Sequence, residues 1–134
     1  MTEAELHRSV VKWLRMLCWL VPVIWFSVPN NPRSRAAGRR LKEQGMLAGA
    51  PDLVFLWGGD IPEGESVDPA EGYWVMPGSL LIELKRPKSR DTTAGRLSPA
   101  QRIFQTAAAR AGVPYMIARS IVDCEGALKD RGLI

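Results

Sequence analysis

Hydrophobic positions follow two periods along this chain, and the change from one to the other marks most of its elements. Leu6, Val10, Leu14, Leu17 and Cys18 recur at helical spacing, and Thr2 with Glu5 three residues on forms a capping-box pattern ahead of them. The spacing predicts a first helix from about Glu3 to Leu20, with Glu5, His7, Arg8, Lys12 and Arg15 on its polar side. Pro22 ends it. Val23-Ile24-Trp25-Phe26-Ser27-Val28, rich in β-branched and aromatic residues, predicts a buried strand that closes in the turn Pro29-Asn30-Asn31-Pro32.

Two further runs read as the arms of one β-hairpin: Pro51-Asp52-Leu53-Val54-Phe55-Leu56-Trp57 and Leu80-Leu81-Ile82-Glu83-Leu84-Lys85. Proline cannot donate to a sheet ladder, so Pro51 marks a strand start. Before the first arm, a short helix from about Ser34 to Gln44 is expected to stop at Gly45, and Gly49 and Ala50 lead into the strand. Between the arms, residues 58–79 are rich in glycine, proline and acid, and far exceed the usual hairpin connection. That stretch reads as a surface insertion, with Tyr73-Trp74-Val75-Met76 as a possible extra strand. Beyond Lys85, Arg86-Pro87-Lys88-Ser89-Arg90 is a basic loop. Ser98-Pro99-Ala100-Gln101 supplies an N-cap, a proline at N1 and a glutamine at N3, which starts a helix running to Gly112. Val113 to Ala118 is a strand, and Ser120 caps a last helix to about Asp130. The order α-β-α-β-β-α-β-α predicts one α/β domain over residues 1–134, with a small mixed sheet flanked by helices.

Composition sharpens the picture in two ways. The net charge of +4 is blocked along the chain, with +5 over residues 1–50, −6 over 51–82 and +5 over 83–134. Five of the middle acids, Asp60, Glu63, Glu65, Asp68 and Glu71, fall in the insertion, so the remainder suits a polyanionic partner. With His7 the only histidine, and Cys18 and Cys124 far apart, zinc sites and histidine-based triads have almost nothing to work with. Both cysteines read as small buried hydrophobes, and the five tryptophans mostly as core. The longest apolar stretch, Met16 to Val28, is broken by Pro22 and Ser27 and is too short to span a bilayer, and a cytoplasmic protein is inferred.

The chemistry concentrates in the hairpin. Side chains alternate faces along a strand, so Leu80, Ile82 and Leu84 point one way while Leu81, Glu83 and Lys85 point the other. Pairing the arms can bring Asp52 beside Glu83. Two adjacent carboxylates repel unless protons are taken up or a cation lies between them, and hard oxygen ligands select Mg²⁺ or Mn²⁺. That set is the kernel of a metal-dependent phosphodiesterase. The bland alternatives are a turn aspartate, an exposed cross-strand charge pattern and two capping residues, Glu5 and Gln101. For the cluster Arg33, Arg35, Arg39, Arg40 and Lys42, the choice is between a solvated basic face and a phosphate-contacting helix.

Glu5, Gly49-Ala50-Pro51-Asp52-Leu53, Ile82-Glu83-Leu84-Lys85, Leu97-Ser98-Pro99-Ala100-Gln101 and Gly112-Val113-Pro114-Tyr115 together resemble the VRR-NUC family, the virus-type replication-repair nucleases of the PD-(D/E)XK superfamily. The resemblance covers nearly the whole chain apart from the insertion, and the size is similar to that of stand-alone, phage-borne members. It implies a restriction-endonuclease-like fold and Mg²⁺ or Mn²⁺ dependence. For stand-alone members it also implies homodimers acting on branched DNA such as four-way junctions, in the host cytoplasm if phage-borne. On this resemblance Asp52, Glu83 and the backbone carbonyl of Leu84 ligate the metal, with Glu5 as an outer or second ligand. Lys85 orients the attacking water, Gln101 positions water or substrate, and Arg33, Arg35, Arg39, Arg40, Lys88 and Arg90 contact DNA. The competing expectations are a silent DNA-binding protein on the same scaffold, a nuclease for flaps, ends or RNA, and an interaction protein working through its acidic loop.

Overall fold

The structure, a computed structural model, describes residues 1–29, 34–58 and 77–134. Arg33, the turn at Asn30–Pro32 and the expected strand at Tyr73–Met76 lie outside the described residues. The element order is α1 (Glu3–Met16), β1 (Val23–Ser27), α2 (Arg35–Glu43), β2 (Leu53–Trp57), β3 (Gly78–Leu84), α3 (Pro99–Arg110), β4 (Tyr115–Ala118) and α4 (Ile121–Asp130). This is the expected α/β arrangement. Strands run in the order β1-β2-β3-β4, antiparallel across the first two pairs and parallel across the last. A parallel neighbour requires a crossover, and α3 is that crossover.

Each helix begins where its side chains satisfy the free amides of the first turn. Thr2 caps α1 and Ser98 caps α3 in full capping boxes, with Glu5 and Gln101 bonding back to the cap amides. Ser34 and Ser120 cap α2 and α4. The sheet then sorts side chains by parity. Leu53 and Phe55 of β2 and Leu80, Ile82 and Leu84 of β3 are buried with Leu6, Val10 and Leu14 of α1 and Cys124, Ala127 and Leu128 of α4. So α1 and α4 cover one face, and α3 lies across the other.

Three local expectations are corrected. The first helix stops at Met16, and Leu17 is already extended at φ −69, ψ 142. From there side chains alternate, so Leu17, Trp19 and Val21 turn toward the core while Cys18 is exposed. Strand β1 is an edge strand and only half-buried: Trp25 packs on the core, whereas Ile24 and Phe26 are exposed on the other face. A β-branched, aromatic run reports strand propensity but says nothing of which face is covered. Trp13, Trp19, Trp25 and Trp57 all pack against the core without being fully buried, and Trp74 lies outside the described residues.

The connection from α2 to β2 is pinned at one point. Gly49 has φ +76, and a Cβ built there would overlap the carbonyl group of Ala100, at the first turn of α3. Gly45 also has positive φ, +93, but open space around it. Changing Gly49 to alanine is expected to cost about 2 to 4 kcal/mol, from the strained backbone and the backbone overlap together. Gly45→Ala, which meets only the first penalty, should cost about 1 kcal/mol. Urea denaturation of the two variants measures the difference.

Candidate active site on one face of the sheet

The register of β2 and β3 pairs Leu53 with Ile82, which sets Asp52 against Glu83 one step further on. Asp52 is held there from two sides: its carbonyl accepts the Val28 amide at 2.9 Å, and its Oδ2 accepts the Leu84 amide at 2.8 Å. Glu83 faces away from the aliphatic core yet is only 2% exposed, and Lys85, two residues along the same face, is 6% exposed. An exposed cross-strand charge pattern is therefore excluded for this pair. Buried ions are costly unless paired. Here Lys85 Nζ lies 3.1 Å from Glu83 Oε1.

The same Oε1 accepts a 2.6 Å hydrogen bond from Gln101 Nε2. Gln101 does this while its Oε1 accepts the Ser98 amide at 2.8 Å, so the capping box and the contact with Glu83 coexist in one side chain. The cap fixes the first turn of α3, and the turn aims the amide nitrogen at the carboxylate. Glu83 Oε2 is buried and has no hydrogen-bond partner among the described residues. One oxygen is thus doubly held and the other is not.

Helix α1 contributes two acids, and they diverge. Glu5 is exposed, and its Oε2 accepts the Thr2 amide at 2.6 Å, the bond that holds its carboxyl below the usual carboxylate range. Glu3 reaches across instead: its Oε1 is 3.9 Å from Lys85 Nζ and 3.5 Å from the Arg86 amide nitrogen. Sequence reasoning passed over Glu3, although the signal was present, because a capping box already commits Glu5 and leaves Glu3 as the helix acid with no local duty. It quoted Tyr115 only as part of a strand motif and gave it no role, and the buried Tyr115 hydroxyl has no hydrogen-bond partner among the described residues. Burial, followed by the charges of Glu83 and Asp52, raises the Tyr115 pKa.

The electrostatics of the pair are dominated by desolvation. Burial first, and then the Asp52 charge, push the Glu83 carboxyl up to about 7, against the opposing pull of Lys85. Two carboxylates side by side, one of them buried with an unpartnered oxygen, form a set that a small divalent cation would satisfy. Asp52 and Glu83 are the two acids of that set, opposite each other in the hairpin register. Among the described residues, no three His, Cys, Asp or Glu side chains gather into a metal cluster.

The basic residues divide by role. Helix α2 has no buried residue, so it adds nothing to the core, and Arg35, Arg39 and Arg40 are exposed on it. Arg35, Arg39 and Lys42 line a surface groove with Ser34, Gly38 and Met46. After α2 the chain passes Gly49, which closes against the Ala100 carbonyl and the Gln101 amide at the first turn of α3. Lys88 and Arg90 are exposed on the loop after β3.

The raised Glu83 pKa predicts a direction for stability against pH. Between about pH 4.5 and 7 the folded chain keeps a proton that the unfolded chain has released. Stability from this group is full below that window, falls as pH rises through it by at most about 1.4 kcal/mol per pH unit, and is lost above it. Thermal unfolding in chelator across the window should show the decline, and Glu83→Gln should flatten it.

No family model matches the chain, and no curated protein matches it. A solved structure of a "VRR_NUC domain protein" is similar over 98% of this chain and 88% of that one, with a TM-score of 0.59 at 19% identity. Among the described residues no helix is long and apolar enough to cross a membrane. The chain therefore has a VRR-NUC-like fold, a four-stranded mixed sheet between helices, with the carboxylate pair on the face that α3 covers.

Proposed function

We propose that the protein is a divalent-metal-dependent nuclease that hydrolyses phosphodiester bonds in DNA. The observation that carries this reading is the Glu83 carboxylate: it is buried opposite Asp52, with Oε1 held by Lys85 and Gln101 and Oε2 unpartnered. Supporting it are the exposed cationic helix α2 and the fold shared with a VRR_NUC domain protein.

Phosphodiester hydrolysis needs an attacking water relieved of a proton, neutralised non-bridging oxygens and a stabilised leaving oxygen. Asp52, Glu83 and the Leu84 carbonyl would hold Mg²⁺ or Mn²⁺, which when bound supplies charge neutralisation and a more acidic water. Lys85 brings an ammonium to the same carboxylate, positioned to orient the nucleophile and to meet the scissile phosphate. Gln101 keeps Glu83 in a single orientation. Glu3, next to Lys85, takes the outer acidic position that the motif resemblance assigns to Glu5. Arg35, Arg39, Arg40, Lys88 and Arg90 grip phosphates and set the register of the nucleic acid without reading bases; Arg33 belongs to the same cluster in sequence. The substrate we assign is branched DNA, such as a four-way junction, cut by a homodimer whose two-fold symmetry suits paired scission points. This last step rests on the motif resemblance.

Cleavage of end-labelled junction, flap, single-stranded and duplex DNA in Mg²⁺, Mn²⁺ or chelator tests the proposal. Paired metal-dependent nicks at the branch are expected. Asp52→Asn should lower the rate by at least about 10³-fold while binding in chelator stays near wild type. It should also abolish the Mn²⁺-binding heat in calorimetry. Gln101→Ala, which only frees Glu83, should cost about 10- to 100-fold. Binding without cutting in any metal would instead support the silent DNA-binding protein.

A further inference from the structure

The loop that follows Lys85 is closed at its base by arginine. The Gly95 amide donates to the Arg86 carbonyl at 2.9 Å, and the Arg86 guanidinium donates through Nε and Nη2 to the Thr93 carbonyl at 3.2 and 2.9 Å. Arg119, one residue beyond β4, completes the closure: its Nη1 donates to the carbonyls of Arg86 at 2.9 Å and Gly95 at 2.8 Å, the two ends of the loop. Arg119 is itself fixed, because its backbone amide donates to Asp123 Oδ2 at 2.8 Å in the first turn of α4. Among the described residues its guanidinium has no carboxylate partner within ion-pair distance, and the side chain is half-buried. A cation committed to two carbonyls, in place of an acid, holds backbone shape. Past the closure, Ser89 donates its amide to the Thr92 carbonyl at 3.1 Å, and Lys88 and Arg90 stand exposed.

We infer that Arg119 is a positioning residue that locks residues 86–95 into a preformed loop, which presents Lys88 and Arg90 to the phosphate backbone beside Lys85. The inference rests on the nucleic-acid reading above for its ligand, but the lock stands on geometry alone. A grip that is already ordered loses less conformational freedom on binding. The loop starts at the residue after Lys85, so the same clamp ties the phosphate grip to the carboxylate face. Arg119 acts through the loop and reaches no phosphate of its own.

Limited trypsin digestion with mass analysis, and anisotropy of a fluorescein-labelled DNA duplex in chelator, test the inference together. Trypsin must unfold the loop locally to cut after Lys88 or Arg90, so Arg119→Met should speed those two cuts relative to the rest of the chain, with Arg119→Lys intermediate. Duplex affinity should fall roughly tenfold in Arg119→Met, the equivalent of one charge-assisted hydrogen bond. The salt dependence of binding should drop toward that of Lys88→Gln/Arg90→Gln, a slope change of about 0.9 for each phosphate that is no longer neutralised. In the Lys88→Gln/Arg90→Gln background, Arg119→Met should have no further effect on affinity. Unchanged cutting at Lys88 and Arg90, or an affinity loss that persists in that background, would overturn the inference and leave the carboxylate site untouched. The digestion needs no DNA, so a failure of the nucleic-acid reading is distinguishable from a failure of the lock.

Discussion

A carboxylate carried on a strand but buried under a helix is the constraint on which the rest of this structure depends. Glu83 is 2% exposed, and burial raises its pKa before any neighbour acts. Such a group is tolerated only when its oxygens are paired. Lys85 supplies charge and Gln101 a directed hydrogen bond, both to Oε1, so the chain settles half of the problem and leaves Oε2 open. In stability alone the arrangement is a poor choice, since an apolar residue would pack better there. On the proposed function its value is chemical, because a pre-oriented carboxylate opposite a second one would need no reorganisation to receive a cation.

Much of the fold serves to hold that geometry. Asp52 is fixed by the amide of Leu84 across the hairpin and through its own carbonyl by Val28, just past the edge strand, so the β1-β2-β3 ladder sets where its charge lies. The first turn of α3 must sit at one height over the sheet for Gln101 to reach Glu83. Gly49 closes against that turn so tightly that no side chain fits between. The aliphatic face beneath, filled by Leu6, Val10, Leu14 and Leu128, provides the hydrophobic stabilisation that offsets the polar face above.

Cations fall into two populations that composition merges. Arg86, Arg119 and Arg131 turn their guanidinium groups inward to backbone carbonyls, while Arg35, Arg39, Arg40, Lys88 and Arg90 remain exposed. The planar, multi-donor guanidinium suits the first task because it can bridge two carbonyls at once. A net charge of +4 counts both alike, yet a guanidinium committed to backbone carbonyls is less free to meet a polyanion than an exposed one.

Sequence by itself determined what interactions across three or four residues determine. Both capping boxes, the proline start of α3, the strand alternation that puts Glu83 and Lys85 on one face and the order of the eight elements were legible because their causes are local. Tertiary structure decided what depends on contacts between distant segments. It chose Glu3 over Glu5 as the α1 acid beside Lys85, since the cap consumes Glu5 and the approach of α1 to β3 orients Glu3. It left Ile24 and Phe26 exposed and turned Cys18 outward, because coverage of a face depends on which element packs there, not on the residue's own preference. It also gave Gln101 two partners and Arg119 its loop, separated by 18 residues and by 33 and 24 residues. No periodicity in the chain encodes such separations; only the packed sheet, with its register and its crossover helix, brings those groups within hydrogen-bond distance.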